Sequence, residues 1–304
     1  MSTDGDCRDP HASPGAPTLP ARRPTGRPCP HDVQATRDRL AVLANSLTLE
    51  YDGVDTRSLP LGPTRAIVCT PTAGHIACDV VWFHGGGFRH GAPEFSLPVA
   101  GFIARHCAAR VMVPSYPLAP EEPFPNALHL ASAVLRGVGG RSRPLFVGGE
   151  SAGGGLAAAT IAAGAHADGL VLLSPWLDLS VTSQAYQLNA GRDDVFSGTQ
   201  AREAADQYLQ GHDVADPLAS PLRAVDERFP PTAIVVGAGE VLIDDAVAMS
   251  SRLAAADVEC ALHIVAGMPH VGPLLDPQAP SSSIALRSLA TWIGALTDRS
   301  RTTR

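Results

Sequence analysis

Short apolar runs alternate with longer amphipathic stretches over most of the chain. Seven runs bounded by glycine or proline are typical of strands: RAIVCT, CDVVWF, ARVMVPS, RPLFVGG, GLVLLSPW, TAIVVGAG and ALHIVAG. Amphipathic stretches that predict helices separate most of them, including EFSLPVAGFIARHC, NALHLASAVLRG, SAGGGLAAATIAAGA and LIDDAVAMSSRLAAA. Continuous apolar strands that alternate with helices indicate a mostly parallel sheet covered on both faces, which is an α/β fold.

The first 30 residues and one internal segment differ from this alternation. Residues 1–30 contain seven prolines and almost no large apolar side chains, so we expect a disordered proline-rich tail before a single domain at 31–304. Residues 182–229 are more polar than their surroundings, and the stretch TQAREAADQYLQG within them predicts a helix. We expect this insertion to lie over one edge of the sheet, where the carboxyl ends of the strands bind ligands.

A first and a last helix flank the alternating region. The first is predicted from apolar residues that fall on one helical face, namely Val33, Leu40, Leu43 and Leu47. The last is predicted from a second set at helical spacing, namely Leu289, Trp292, Ile293 and Leu296.

Composition excludes several classes of function. A net charge of −7 disfavours a nucleic-acid surface, and the absence of lysine removes P-loop and Schiff-base chemistry. The six cysteines include no C-x-x-C pair, so we expect reduced, mostly buried thiols in a cytoplasmic protein. The sequence has neither a signal-peptide pattern nor an apolar run long enough to span a membrane, so we expect no membrane span.

A serine stands at a turn that is poor in side chains. Gly149-Glu150-Ser151-Ala152-Gly153 connects the strand RPLFVGG to the helix SAGGGLAAAT, and this G-x-S-x-G arrangement forces the serine into a strained backbone conformation. Small neighbours let the strand and the helix approach closely, and the helix amides favour developing negative charge. The pattern predicts a nucleophilic Ser151; the alternative is a glycine-rich connection without a chemical role.

A second glycine-rich loop ends an earlier strand. His84, Gly85, Gly86 and Gly87 follow VVWF, and consecutive glycines let backbone N–H groups approach an oxyanion without obstruction. We predict that Gly85 and Gly86 are oxyanion donors, with Ala152 as the third. If this loop is considered without the serine motif, the alternative is a flexible turn that has no function.

A nucleophilic serine needs a base and an orienting carboxylate. Of the eleven histidines, His270 is the best candidate because IVAGMPHVG places it in the loop after the last predicted strand. With the chain order serine, acid, histidine, the acid lies between Ser151 and His270. Glu240 directly follows a strand and is the preferred acid, whereas Asp244 and Asp245 fall in the next helix and stay as alternatives. GAGEVL lacks the third glycine of a dinucleotide fingerprint, which disfavours a nicotinamide enzyme.

Seven motifs in one order resemble the hormone-sensitive-lipase-like family of α/β-hydrolases, the bacterial esterases with an HGGG motif. They are HGGGF, YPLAPEEPFPNAL, GESAGG, SPWLDLS, DPLASPL, GAGEVLIDD and GMPHVG, and they span nearly everything after the tail. The resemblance implies an eight-stranded, mostly parallel sheet flanked by helices and a small helical cap built from about 31–50 and 182–229. It also implies a Ser/acid/His triad without a metal or organic cofactor.

Two residues depart from the family pattern. The family usually has aspartate before the nucleophile, where this chain has Glu150, and we expect that side chain to point away from the reacting centre. The family's triad acid is usually aspartate, and a glutamate at position 240 is one methylene longer, so it must fold its chain to reach the imidazole.

The resemblance implies hydrolysis of a small-molecule carboxylic ester with a short to medium acyl chain, through an acyl-enzyme. Two alternatives stay open: an enzyme of specialised metabolism that uses the same triad for lactonisation, acyl transfer, elimination or cyclisation, and a non-catalytic small-molecule receptor. Related enzymes often pair through the last strand and helix, so a homodimer is one implied assembly. Candidate pocket residues are Phe88, Trp176, Phe196 and Tyr208, and ordinary core packing is the alternative for each of them.

Overall fold

Eight strands form one sheet in a computed structural model that describes residues 31–46, 51–138 and 142–302. Their spatial order is β1-β2-β4-β3-β5-β6-β7-β8; β2 runs antiparallel to β1 and β4, and the other neighbours pair in parallel. The strands are β1 (Val54–Leu61), β2 (Thr64–Pro71), β3 (Cys78–Phe83), β4 (Ala109–Pro114), β5 (Leu145–Glu150), β6 (Gly169–Leu173), β7 (Thr232–Gly237) and β8 (Cys260–Val265). The predicted tail at 1–30 lies outside the described residues.

The sequence pattern missed one strand. All seven predicted runs form strands, but β1, with the sequence VDTRSLPL, was not predicted. This strand contains Pro60, is mostly exposed and pairs only with β2 at the edge of the sheet, so it lacks the continuous apolar run of a buried strand.

Helices cover both faces of the sheet. They are α1 (His31–Ser46), α2 (Leu97–His106), α3 (Asn126–Val138), α4 (Ala152–Ala162), α5 (Ala185–Leu188), α6 (Gly198–Leu209), α7 (Ile243–Ala255), α8 (Gly272–Leu275) and α9 (Pro280–Thr302). Within β3, Val81 and Phe83 pack in a cluster with α3, α4 and α7, whereas Val80 and Trp82 pack on the opposite face with α2 and α9. The α/β fold predicted from continuous apolar strands is therefore confirmed. In the described residues, no helix is both long and apolar enough to cross a membrane.

The buried face of α1 differs from the predicted one. Val33 and Ala44 are buried, but Leu43 is 49 % exposed, and Leu47 lies outside the described residues. The helix is oriented by a polar contact: the Arg37 guanidinium donates to the backbone carbonyls of Arg89 and Ala119 and pairs with Glu121. The face of α1 that carries Arg37 therefore packs against the domain. Leu43 lies outside this face and remains exposed to solvent.

The insertion between β6 and β7 contains the short helix α5 and the longer helix α6. Ser197 caps α6 with a capping box, in which its hydroxyl accepts from the N–H of Gln200 and the Gln200 side chain accepts from the N–H of Ser197. The cap fixes the start of α6 directly after Phe196, and the predicted helix in this segment is confirmed.

The contacts of Arg37 predict the stability of the α1 attachment. Arg37→Met removes a largely buried cation that satisfies two carbonyls and a carboxylate, so we expect the free energy of unfolding to fall by about 2 kcal/mol. Arg39→Met is the matched control because Arg39 is exposed on the same helix. Urea unfolding and hydrogen exchange of the α1 amides measure the effect. Equal exchange of α1 in both variants would contradict the anchoring role.

Candidate active site

The turn between β5 and α4 holds Ser151 in an unusual conformation. Its φ of 53° and ψ of −122° lie outside the regions that non-glycine residues ordinarily adopt. The flanking glycines are required by space: a Cβ at Gly153 would lie 2.0 Å from the carbonyl oxygen of Phe83, and one at Gly149 would lie 2.4 Å from that of Gly153. The close approach of strand and helix projects the Ser151 side chain at the carboxyl edge of the sheet.

Three side chains from separate loops form one hydrogen-bonded chain. Ser151 Oγ lies 3.0 Å from His270 Nε2, and His270 Nδ1 lies 2.8 Å from Glu240 Oε2. All three residues are buried, with 5 %, 4 % and 1 % exposure for Ser151, His270 and Glu240. In the tautomer with a proton on Nδ1, His270 donates to the carboxylate and accepts from the hydroxyl. The structure thus brings together the predicted nucleophile, base and preferred acid.

Glu240 folds back over the end of β7. Its Oε1 accepts hydrogen bonds from Ser174 Oγ at 2.8 Å and from the N–H of Gly237. A Cβ at Gly237 would lie 2.9 Å from this oxygen and 2.1 Å from the carbonyl oxygen of Met268, so only glycine leaves room for the longer side chain. The Ser174 hydroxyl also accepts from the N–H of Val271, 3.3 Å away, and so links the acid loop to the histidine loop.

The alternative acids bind other partners. Asp244 accepts from the N–H of Ala185 at 2.8 Å. Asp245 accepts from the N–H groups of Leu177 and Asp178, and burial raises the pKa of Asp245 to about 7. Both aspartates therefore support the backbone of the neighbouring loops, and the geometry favours Glu240 as the partner of the imidazole.

The HGGG loop is supported by His84 beneath it. The His84 ring is buried, stacks on Tyr116 with ring centroids 4.1 Å apart, and its backbone carbonyl accepts from the Tyr116 hydroxyl at 2.7 Å. Burial lowers the pKa of His84 to about 4, so it is neutral near pH 7. Gly86 has a φ of 116°, and a Cβ there would lie 2.3 Å from the carbonyl oxygen of His90. The loop conformation therefore requires glycine at this position.

Glu150 corrects the predicted set of oxyanion donors. Its fully buried carboxyl accepts from the N–H of Gly85 at 2.6 Å, from Ser96 Oγ at 2.8 Å and from the Trp82 indole. The side chain thus supports the glycine loop, a contact that was not predicted from the sequence. Because the Gly85 N–H is already engaged, it cannot also meet an oxyanion in this conformation.

The remaining amides of the two loops are available. Within the described residues, the N–H groups of Gly86, Gly87 and Ala152 have no hydrogen-bond acceptor. Ala152 is the first residue of α4, where a helix N–H has no partner within its own helix. Gly87 therefore replaces Gly85 among the candidate donors.

The four aromatic residues singled out in the sequence form one cluster beside these loops. Phe88 stacks on Tyr208 with centroids 3.9 Å apart, Trp176 lies 6.1 Å from Phe88, and Phe196 lies 5.6 Å from Trp176. Phe196 also stacks on the His270 ring at 5.4 Å. Among the described residues, no cluster of three or more His, Cys, Asp or Glu side chains could hold a metal ion.

Comparison with known proteins places this site in a family. A family model described as alpha/beta hydrolase fold matches residues 80–273, which include Ser151, Glu240 and His270. The chain belongs to the α/β-hydrolases. A crystal structure of an esterase from the bacterial hormone-sensitive lipase family is 30 % identical, with a TM-score of 0.81, and the match covers 90 % of this chain and 93 % of that one. The predicted resemblance and fold class are both confirmed.

Two curated relatives give the class of reaction. An acetyl-hydrolase of Streptomyces hygroscopicus is 29 % identical over 72 % of this chain and 76 % of its own length. An esterase of Acinetobacter venetianus is 29 % identical over 70 % of this chain and 73 % of its own length. Together with the structural match, these relatives identify the α/β-hydrolase described here as a carboxylic ester hydrolase.

The buried Glu150 carboxyl predicts a pH dependence of stability. Burial raises the pKa of Glu150 from 4.5 to about 7, although its hydrogen bonds act in the opposite direction. Between these two values the unfolded chain loses the proton while the folded protein keeps it, so this group lowers stability as the pH rises from 4.5 to 7. We expect Glu150→Gln to remove about 2 to 3 kcal/mol of that fall.

Urea unfolding at several pH values between 4.5 and 8 measures this effect. The readout is the change in unfolding free energy with pH, since the lost hydrogen bond of the glutamine variant adds an offset that does not depend on pH. Glu227→Gln is the control because Glu227 is exposed. Parallel pH curves for the wild type and Glu150→Gln would refute the assignment.

The space around Gly237 predicts a second outcome. Gly237→Ala forces the new methyl against the Met268 carbonyl and the Glu240 carboxylate, so we expect about 3 kcal/mol of destabilisation and at least about a tenfold lower kcat/KM for ester hydrolysis. Gly239→Ala is a matched control because its Cβ would meet only Arg192, at 3.7 Å. Thermal melting and ester hydrolysis are measured for both variants. Equal melting temperatures and equal kcat/KM values would show that Gly237 does not position the acid.

Proposed function

We propose that the protein hydrolyses small-molecule carboxylic esters with short to medium acyl chains through an acyl-enzyme on Ser151. The observation that carries this proposal is the continuous chain of hydrogen bonds from the Ser151 hydroxyl through His270 to Glu240. This arrangement lets an alcohol act as a nucleophile near neutral pH, because a base accepts its proton as the new bond forms.

The first half-reaction forms the acyl-enzyme. Ser151 Oγ attacks the ester carbonyl carbon while His270 Nε2 accepts the hydroxyl proton, and Glu240 stabilises the resulting imidazolium. The carbonyl oxygen becomes an oxyanion, which the N–H groups of Gly86, Gly87 and Ala152 meet. When the tetrahedral intermediate collapses, the bond to the leaving oxygen breaks and His270 returns the proton to that oxygen. The alcohol then leaves.

The second half-reaction repeats these steps with water. His270 accepts a proton from a water molecule, the hydroxide oxygen attacks the acyl carbon, and the same amides meet the second oxyanion. The bond to Ser151 Oγ breaks, His270 returns the proton to the serine, and the carboxylic acid is released. This mechanism uses groups of the chain itself and a water molecule.

Two features support an ester of limited size. Phe88, Trp176 and Tyr208 are almost fully buried beside the glycine loop, and the tight stack of Phe88 on Tyr208 fills the space there. A curated relative is named an acetyl-hydrolase, and acetyl is a two-carbon acyl group. The complete triad geometry disfavours the receptor alternative, and the specialised-metabolism alternative predicts no turnover of simple esters.

The cap and the assembly are further parts of the proposal. We assign the cap to about 31–50 and 182–229, of which residues 47–50 lie outside the described residues, because α1 and the insertion contact loops beside the site through Arg37 and Asn189. The strand β8 is the last in the sheet and leaves one edge without a neighbour among the described strands, which supports a homodimer through this strand and α9.

The nucleophile assignment predicts a clear result. We expect Ser151→Ala to lower kcat for p-nitrophenyl acetate by at least about 10⁴-fold and to abolish labelling by a fluorophosphonate, because the attacking oxygen is lost. Ser251→Ala, on the exposed face of α7, is the control and should keep both properties. Turnover in the Ser151 variant at the wild-type rate would refute the mechanism. A labelled wild type that hydrolyses no ester of graded acyl length would favour the specialised-metabolism alternative.

A further inference from the structure

A segment of the insertion is bound directly to the loop that carries the acid. The Asn189 amide donates to the backbone carbonyl of Glu240 at 2.8 Å, and Asp193 accepts from the N–H of Val241 at 3.0 Å. Asn189 and Asp193 are both more than nine-tenths buried. The insertion is therefore part of the structure that supports the triad.

Asp193 connects two pieces of backbone through one carboxyl group. Its Oδ2 binds Val241, next to the acid, while its Oδ1 accepts from the N–H groups of Val195 and Phe196 at 3.1 and 2.9 Å. A carboxylate that accepts three backbone hydrogen bonds in a buried position is held rigidly. The turn that leads into Phe196 is thus fixed relative to Glu240.

The ring of Phe196 lies against the imidazole. Its centroid is 5.4 Å from that of His270, with an interplanar angle of 21°, and it meets Trp176 edge to face at 5.6 Å and 67°. Phe196 is only partly buried, unlike Phe88, Trp176 and Tyr208. It therefore presents aromatic surface beside the reacting groups.

The chemistry of the reaction defines which part of an ester reaches this surface. His270 must protonate the leaving oxygen, so the alcohol portion of the ester lies alongside the imidazole. The carbonyl oxygen is directed to the amides of the glycine loop, and the acyl carbon is bound to Ser151. An aromatic ring stacked on the imidazole therefore neighbours the leaving group rather than the acyl chain.

We propose that Phe196 is a specificity-determining residue that favours esters of flat aromatic alcohols, and that Asp193 is the positioning residue that holds it over His270. This inference rests on the proposed function, because it uses the role of His270 as the proton donor to the leaving group. Aromatic leaving groups gain an offset-stacked or edge-to-face contact with Phe196, whereas small alkyl leaving groups do not.

Two ester series test the role of Phe196. One varies the alcohol at a constant acyl group (ethyl, phenyl and 2-naphthyl acetate), and the other varies the acyl chain at a constant alcohol (phenyl acetate to phenyl hexanoate). We expect Phe196→Ala and Phe196→Leu to lower the aryl-to-ethyl ratio of kcat/KM by about three- to tenfold and to leave the order of acyl preference unchanged. Phe102→Ala is the matched control, since Phe102 is also partly buried and stacks on a histidine, His106, on α2.

A double-mutant cycle tests the role of Asp193. We expect Asp193→Asn to lower the aryl-to-ethyl ratio in the same direction as Phe196→Ala, and the double variant to lower it no further, because both changes act on one contact. Asp194→Asn removes the same charge at the exposed neighbouring position and should leave the ratio unchanged. Thermal melting of each variant checks that it is folded. If Asp193→Asn does not fold, Phe196→Leu still tests the specificity role of the ring.

The possible outcomes distinguish a failure of this inference from a failure of the proposed function. An active enzyme whose aryl-to-ethyl ratio changes by less than about twofold in both Phe196 variants overturns the specificity role. A change in acyl preference at a constant aryl-to-ethyl ratio also overturns it, since the ring would then neighbour the acyl chain. Additive effects of Asp193→Asn and Phe196→Ala overturn the positioning role. A wild type that hydrolyses none of the esters and resists fluorophosphonate overturns the proposed function and this inference together.

Discussion

A buried carboxylate is stable only where hydrogen-bond donors surround it, and the organisation of this site follows from that constraint at Glu240. The end of β7 supplies a backbone N–H, the end of β6 supplies the Ser174 hydroxyl, and the loop after β8 supplies the imidazole. Three neighbouring parallel strands thus end in donors for one side chain. The glutamate is longer than the aspartate usual in this family, and Gly237 provides the space in which it folds back. The same carboxylate then holds the imidazole in the orientation that reaches Ser151.

A second buried carboxyl, that of Glu150, joins the nucleophile turn to the glycine loop. Ser151 directly follows Glu150 in the chain. The Glu150 carboxyl accepts hydrogen bonds from the Gly85 N–H and the Ser96 hydroxyl. The Ser151 turn is therefore tied covalently to the side chain that supports the glycine loop.

The sequence predicted the fold, and it singled out the three side chains that lie within hydrogen-bonding distance of one another, because each of them left a local signal. Continuous apolar runs marked the buried strands, and Ser151, Glu240 and His270 follow the ends of such runs. The strand β1 carries no such signal because it is polar and pairs at an edge. The engagement of the Gly85 N–H by Glu150 was not predicted, because a run of glycines does not show which N–H another side chain will occupy. Asp193 and Phe196 lie in an insertion whose position over the site depends on tertiary contacts, so their spacing could not reveal their partners.

The indole of Trp82 donates to the Glu150 carboxyl in the interior, away from solvent. Indole emission responds to the charge of a group in direct contact with it, and this protein has only three tryptophans. Strand β3, which leads into the glycine loop, therefore carries a native fluorophore hydrogen-bonded to the carboxyl that contacts Gly85. Glu150 directly precedes Ser151, and a change in the charge of this carboxyl alters the surroundings of the Trp82 indole.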